Sequence, residues 1–302
     1  LFHDALDEGM DRLADEVQQL ALALKAARPQ HPIVLASFVR AGVPLGVLLK
    51  LALTDLGVEA YHYGISIIRD KGIDHAALAT IEEQHDFKDI VFIDGWTGKG
   101  AIYGELQRSL AQRYPKNQVI PFAVLADPAG LSWLSASGDD WLIPFGILGA
   151  TVSGLISRSI LTTDGGWHGC LYYEHLQVYD ISRQFIALVN NRRRVRHPDG
   201  QTIDAAVWCN EQRIALQKQS SSVIQHLAAL YNISNLNRIK PGIAEATRAI
   251  LRRVPEKVLV SDWDDPHIRL LRHLAKQKHI KLEVMGEGLA PYRAITIIKK
   301  TS

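Results

Sequence analysis

Cysteine is nearly absent: Cys170 and Cys209 are the only two in 302 residues. Two thiols without a framework spacing exclude a disulfide-stapled scaffold and point to a reducing compartment. Long apolar runs are missing too, and nothing approaches the roughly 18 uninterrupted apolar residues of a membrane span. The first residues carry Asp, Glu and Arg at helical spacing where a signal peptide would be apolar, so the expected location is the cytoplasm, with no membrane contact. Neither the 47% hydrophobic nor the 22% charged content departs from that of a soluble globular chain, and the length suits more than one domain.

A net charge of +2 conceals an asymmetry. Residues 1–190 hold 14 basic against 22 acidic side chains, net −8, and residues 191–302 hold 20 against 10, net +10. The basic part is a candidate for contact with RNA or another phosphorylated partner. The alternative is that the two parts attract one another.

The most informative stretch is Ile90-Val91-Phe92-Ile93-Asp94 followed by Gly95-Trp96-Thr97-Gly98-Lys99-Gly100-Ala101. A β-branched apolar run ending on an acid reads as a buried strand that delivers one carboxylate at its C-terminal edge. The loop behind it is rich in small residues and opens a helix, so its backbone amides, the helix dipole and the Thr97 hydroxyl form an anion site. A nucleotide-triphosphate loop is excluded. Only Trp96 and Thr97 separate Gly95 from Gly98-Lys99, where that motif needs four residues, and Gly100 stands where it needs Ser or Thr. The bland alternative is that Asp94 caps a turn and the glycines close a tight connection.

The same grammar occurs earlier. A strand over 33–38 runs into Arg40-Ala41-Gly42-Val43-Pro44-Leu45-Gly46 and a helix to about 57, after an opening helix over 4–27. A strand over 58–68 ends in Arg69-Asp70-Lys71-Gly72, and a further strand over 119–126 ends in Asp127. Repeated strand-helix-strand order implies parallel strands with right-handed crossovers, and ligands in such sheets bind beyond the carboxyl ends of the strands. Arg40, Asp94 and Asp127 all fall there.

Residues 131–190 are less regular and hold Trp133, Trp141, Trp167, Tyr172 and Tyr173, with Ser153 and Arg158 in a Gly/Ser-rich segment over 149–159. Aromatics among glycines can wall a pocket for an acceptor ring, or simply be core. Cys170 lies between His168 and His175, and a thiolate paired with imidazole is a competent nucleophile, although a lone cysteine is commonly buried and inert. A metal site from these three lacks a fourth ligand at a familiar spacing. Beyond the run Arg192-Arg193-Arg194-Val195-Arg196, a helix is expected over 203–231 and a basic helix ends near 253. A strand over 257–260, a helix over 267–278 and strands over 280–284 and 294–299 then follow.

The Arg40 to Gly46 and Asp94 to Gly100 turns, the loop around Asp70, the 149–159 segment and Asn237-Arg238-Ile239-Lys240-Pro241-Gly242 together resemble the phosphoribosyltransferase-like family of tellurite-resistance-associated biosynthetic operons, which also circulates under a cysteine-protease label, StiP. That family's sugar-phosphate motif has two adjacent acids, whereas Asp94 is followed by Gly95, and Lys99 is an addition.

The resemblance implies an α/β fold with a parallel-sheet phosphoribosyltransferase-like core over 1–190, a helical connecting region over 191–254 and a small C-terminal α/β domain over 255–302. It also implies a transferase that uses phosphoribosyl pyrophosphate and Mg²⁺ to make a nucleoside-like metabolite under stress. In that reading Asp94 holds the ribose or its metal, and residues 95–101 hold the 5′-phosphate. Arg40, Ala41 and Gly42 take the pyrophosphate, Arg69 and Lys71 sit on a closing hood, and Asp127, Ser153 and Arg158 line the substrate. The acceptor is open, as is a homo-oligomer. A cysteine hydrolase built on Cys170 and a non-catalytic nucleotide- or RNA-binding protein are the rival readings.

Overall fold

The computed structural model describes residues 2–68, 70–115, 118–163, 165–200 and 210–300. Helix α1 (Phe2–Ala27) buries Leu6, Leu13, Val17, Leu20 and Leu24 along one face, as three- and four-residue spacing requires. After it come β1 (Ile33–Phe38), α2 (Gly42–Asp55) and β2 (Ala60–Ile65), then the short strands β3 (Ile67–Ile68) and β4 (Gly72–Ile73). Helix α3 (His75–Glu82), β5 (Ile90–Trp96), α4 (Ala101–Ser109), β6 (Phe122–Ala126), β7 (Leu134–Ser137), α5 (Pro144–Ile147) and α6 (Ser182–Arg196) complete this part.

Five strands form one parallel sheet in the order β2-β1-β5-β6-β7. Successive residues point to opposite faces. Ile33, Leu35, Val91, Ile93, Ala123 and Leu125 therefore pack under α1, α2 and α6, while Val34, Ala36, Phe38, Phe92, Phe122 and Val124 pack against α3, α4 and the β3-β4 hairpin. The strand order reverses between β1 and β5, which places a crevice at their carboxyl ends. The expected strand over 58–68 is broken at Ser66, whose carbonyl accepts from Asp74 N at 2.9 Å. Its last residues instead pair antiparallel with β4.

The C-terminal unit comprises α7 (Asn210–Leu230), β8 (Ile239–Pro241), α8 (Ile243–Arg252), β9 (Pro255–Val260), α9 (Arg269–Gln277), β10 (Leu282–Val284) and β11 (Ala294–Ile298). Its sheet runs β10-β9-β11-β8, with α8 and α9 on one face and α7 on the other. The small α/β unit is present, but a connecting region over 191–254 is corrected. β8 and α8 belong to the C-terminal sheet because Ile239, Ile243, Ala246 and Ile250 have their apolar partners there. The arginine run belongs to α6, on the N-terminal part. Residues 203–209 of the expected long helix, and Cys209, lie outside the described residues.

Part of the charge asymmetry is internal attraction. Arg192 and Arg196 pair with Asp11, Arg196 also with Asp15, and Arg193 and Arg194 with Asp55. Arg293 joins Asp139 and Asp265, and Arg12 reaches Asp139 at 2.9 Å. Asp140 is buried, and its carboxylate accepts from Ile243 N and Arg293 N, both at 2.9 Å, which caps α8 and holds the C-terminal unit against the first. Burial lifts the Asp140 carboxyl to about 7, with the two amides pulling the other way. No helix among the described residues is long and apolar enough to cross a membrane.

Gly46 lets α2 approach β1 and β2: a Cβ there would lie 1.9 Å from Ser37 Oγ and 2.5 Å from His62 Nε2. Ser37 Oγ and His62 Nε2 are 2.9 Å apart, and burial depresses the imidazole to about 4. The unfolded chain takes up this proton near 6.5 and the folded chain only near 4, so the stability linked to His62 is full above about 6.5 and falls as pH drops toward 4. Denaturant titrations should show about 2–3 kcal/mol lost over that window through this group, and His62→Gln should flatten the loss.

Candidate functional site

The crevice at the switch point is a cleft of about 540 Å³, within the range of small-molecule sites. Each wall has a local cause. The chain leaves β1 through a cis Val39-Arg40 peptide and enters α2 at Gly42, where a Cβ would lie 2.3 Å from the Ile93 carbonyl oxygen. The turn after β5 enters α4 through Gly100 at φ +85°. That value lies in the left-handed region, which favours glycine. Both turns thus present a helix N-terminus to the cleft, where unpaired amides attract anions.

Arg40, Ala41, Asp94, Trp96, Thr97, Gly98, Gly100, Ala101 and Arg158 all line this cleft. The loop after β1 and the loop after β5 therefore share one cavity, as expected. Arg40 Nη1 donates to Ile156 O at 2.9 Å, and burial followed by the neighbouring Arg252 disfavours its charged form, with Arg158 adding to the effect. Asp94 Oδ1 accepts from Gly95 N at 2.8 Å. Burial raises the Asp94 carboxyl to about 7; the Gly95 amide and Arg248 oppose this, and Glu245 reinforces it.

Other expected residues hold the cleft together from outside it. Asp127 is fully buried and accepts from Thr97 Oγ1 at 2.6 Å, Ser132 Oγ at 2.6 Å and the amides of Leu131 and Ser132. Its four partners saturate it, so it positions Thr97 and does not meet a ligand. Lys99 is likewise turned away: its Nζ donates to the carbonyls of Leu236 and Ile239, clamping the loop to the C-terminal unit. Tyr292 Oη donates to Gly98 O at 2.8 Å and tightens the same clamp. Gly95 is buried against Phe145, and Gly42 against β5.

Ser153 is buried and donates to Gly149 O at 2.7 Å, outside the lining. Lys71 is exposed at the tip of the β3-β4 hairpin and does not line the cleft, whereas Ile67 and Ile68 do; Arg69 lies outside the described residues. Trp141 is core, and Trp167 and Tyr172 are exposed. None of the five aromatics expected to wall the pocket lines it; Phe38, Trp96 and Tyr103 do.

Three lining residues come from beyond the first unit: Glu245, Arg248 and Arg252 on α8. They recur at three- and four-residue steps, opposite the apolar face of Ile243, Ala246 and Ile250. That stripe is visible in the sequence, but nothing in it says that the stripe faces a cleft formed some 150 residues earlier. The Arg248 guanidinium lies 4.8 Å from the Trp96 ring centroid, a cation–π distance. The cleft is therefore basic, with Arg40, Arg158, Arg248 and Arg252 against two carboxylates, Asp94 and Glu245, in its lining.

Cys170 is exposed, beside Ser159 and within electrostatic reach of Arg40 at the cleft rim. Partial desolvation nevertheless raises its thiol above the ordinary range. Among the described residues neither nearby imidazole meets it: His168 Nδ1 lies 2.8 Å from Ser66 Oγ, and His175 packs on Tyr173. No group of three or more His, Cys, Asp or Glu able to hold a metal occurs among the described residues.

Against known proteins, a family model described as "Tellurite-like stress resistance cysteine protease StiP" matches residues 1–190, and one described as "PELOTA RNA binding domain" matches residues 218–300. The chain is 55% identical over 314 residues to a protein of Acinetobacter baylyi named "Cysteine protease StiP", which covers 99% of this chain and 80% of that protein. Among solved structures, the hypoxanthine phosphoribosyltransferase of Trypanosoma cruzi complexed with IMP aligns at 16% identity, TM-score 0.33, over 42% of this chain and 68% of its own. A hypoxanthine-guanine phosphoribosyltransferase of Bacillus anthracis aligns at 15% identity, TM-score 0.32, over 42% and 77%. With its first 190 residues matched by the one model and nearly its whole length by the curated relative, the chain belongs to the StiP family.

Proposed function

We propose that the chain is an enzyme that binds phosphoribosyl pyrophosphate with Mg²⁺ in the switch-point cleft and transfers the phosphoribosyl group to a nucleophilic acceptor, giving a nucleoside-like product in stress resistance. The observation that carries this reading is the convergence of two helix N-termini, Arg40, Arg248 and Asp94 on one cavity. In this reading the amides of residues 97–101 receive the 5′-phosphate, and Arg40 with the Ala41 and Gly42 amides receives the pyrophosphate, whose charge grows as it leaves. Asp94 accepts from the ribose hydroxyls. Two carboxylates without a third ligand suit an ion that takes its remaining oxygens from substrate and water. Asp94 and Glu245 would hold Mg²⁺, which when bound neutralises diphosphate charge.

Isothermal titration should detect phosphoribosyl pyrophosphate binding in the presence of Mg²⁺, weakened on the order of tenfold or more by Arg40→Gln or Arg248→Gln. Absence of heat from the intact chain would remove the proposal.

The curated relative's name favours a second reading, a cysteine hydrolase centred on Cys170. The raised thiol and the missing imidazole contact weigh against it, because the thiolate is the nucleophile. Cys170→Ser should leave turnover within about twofold, whereas a thiol nucleophile loses it by orders of magnitude. We also propose that the C-terminal unit contacts RNA, supported by the RNA-binding-domain model over 218–300 and by the basic excess of this part.

A further inference from the structure

Beside the cleft, the C-terminal unit carries a groove of about 900 Å³ that no acidic side chain lines. Its cations include Arg252, Arg253, Lys299 and Lys300. Arg192, Arg193, Arg194 and Arg196 of α6 are paired with carboxylates, yet Arg252, Arg253, Lys299 and Lys300 make no salt bridge among the described residues. Arg238, which also lines the groove, pairs with Glu256, and the charge of the other four is left for an external anion. Ser234, Asn235 and Asn237 stand among the cations and offer hydroxyl and amide groups of the kind that read ribose hydroxyls and unpaired base edges.

Arg252 belongs to both cavities: it lines the cleft with Arg248 and the groove with Arg253. That one side chain borders both, and cationic side chains line them from Lys300 to Arg40. We propose that the groove and the cleft form one track, and that the acceptor is carried on single-stranded RNA. The backbone lies along the groove, and a terminal or unpaired nucleotide passes Arg252 into the cleft. A base inside a duplex cannot reach such a cavity, which is why the strand must be single or locally opened.

This rests on the transferase reading for its chemistry. An N–H or O–H of the RNA attacks C1 of the sugar, the C1–oxygen bond to pyrophosphate breaks, and pyrophosphate leaves with the electron pair. The acceptor proton passes to solvent or to a cleft carboxylate.

The track itself can be tested without the sugar diphosphate. A short fluorescein-labelled single-stranded RNA with a terminal 4-thiouridine should bind the full chain with steep salt dependence and crosslink to cleft residues such as Trp96 or Tyr103. The triple variant Arg253→Gln, Lys299→Gln, Lys300→Gln should weaken binding on the order of tenfold or more and reduce the salt slope by about 2, with its titration of phosphoribosyl pyrophosphate unchanged. Crosslinks confined to another surface, or an unchanged salt slope in the triple variant, would overturn the track. Equal preference for duplex or DNA would overturn it as well. With the track upheld, radiolabelled phosphoribosyl pyrophosphate should label the RNA. If it titrates into the cleft yet leaves every RNA unlabelled, the RNA-acceptor assignment fails; if it does not bind at all, the transferase reading fails while the crosslinks still stand.

Discussion

Gly42→Ala is expected to destabilise the folded chain by about 3 kcal/mol or more, toward the upper end of what a single overpacking change costs. The added Cβ would sit 2.3 Å from the Ile93 carbonyl oxygen, 3.0 Å from its carbon and 3.2 Å from Asp94 Cα. All three are backbone atoms of β5, a strand hydrogen-bonded on both sides, so no rotamer change relieves the clash. What can move is α2, and moving it carries Arg40 and Ala41 away from Asp94. Denaturant unfolding should therefore show lost stability, and at temperatures where the variant stays folded its sugar-diphosphate affinity should also fall. Gly288→Ala, where a Cβ meets nothing within 4 Å, is the control. Equal stability for the two variants would mean that the crevice is not built on this contact.

The same contact explains what could be read in advance. The turns at Arg40 and Asp94 were legible because local chemistry determines them: an apolar run forces a strand, small residues force a tight approach, and a parallel sheet sends both carboxyl ends to one edge. Asp127 obeyed that logic in position but not in role. Whether an acid at a strand end faces a ligand or is consumed by a serine, a threonine and two amides depends on loop geometry that spacing does not encode. Lys99 misled in the same way, since its carbonyl partners lie about 140 residues on. β7, with Ser135 and Ser137 in place of branched apolar residues, lacks a strand signature and is held by its pairing with β6. α8 was readable as an amphipathic basic helix. Its contribution of Arg248 and Arg252 to the cleft is tertiary information, set by the Asp140 cap and the Lys99 clamp.

Asp94→Asn is expected to weaken phosphoribosyl pyrophosphate binding on the order of 100-fold at pH 8 and to remove the part of its pH dependence that this carboxyl supplies. In the unliganded chain the carboxyl titrates near 7, so it is largely protonated at pH 6 and ionised at pH 8. Ribose hydroxyls and Mg²⁺ both require the ionised form, so affinity should rise by about tenfold across that interval and level off above it. The ligand's own phosphates titrate in the same region and contribute equally in the variant, which makes the difference between the two profiles the diagnostic quantity. Stability moves the opposite way. Because the folded pKa lies above the unfolded 3.8, the unliganded chain loses stability through this group as pH rises from about 4 to 7, and at pH 8 Asp94→Asn should raise it by about 1–3 kcal/mol. A variant more stable yet binding more weakly identifies Asp94 as a charge held in an unfavourable place for a ligand's sake; one that loses both would make it an ordinary structural turn.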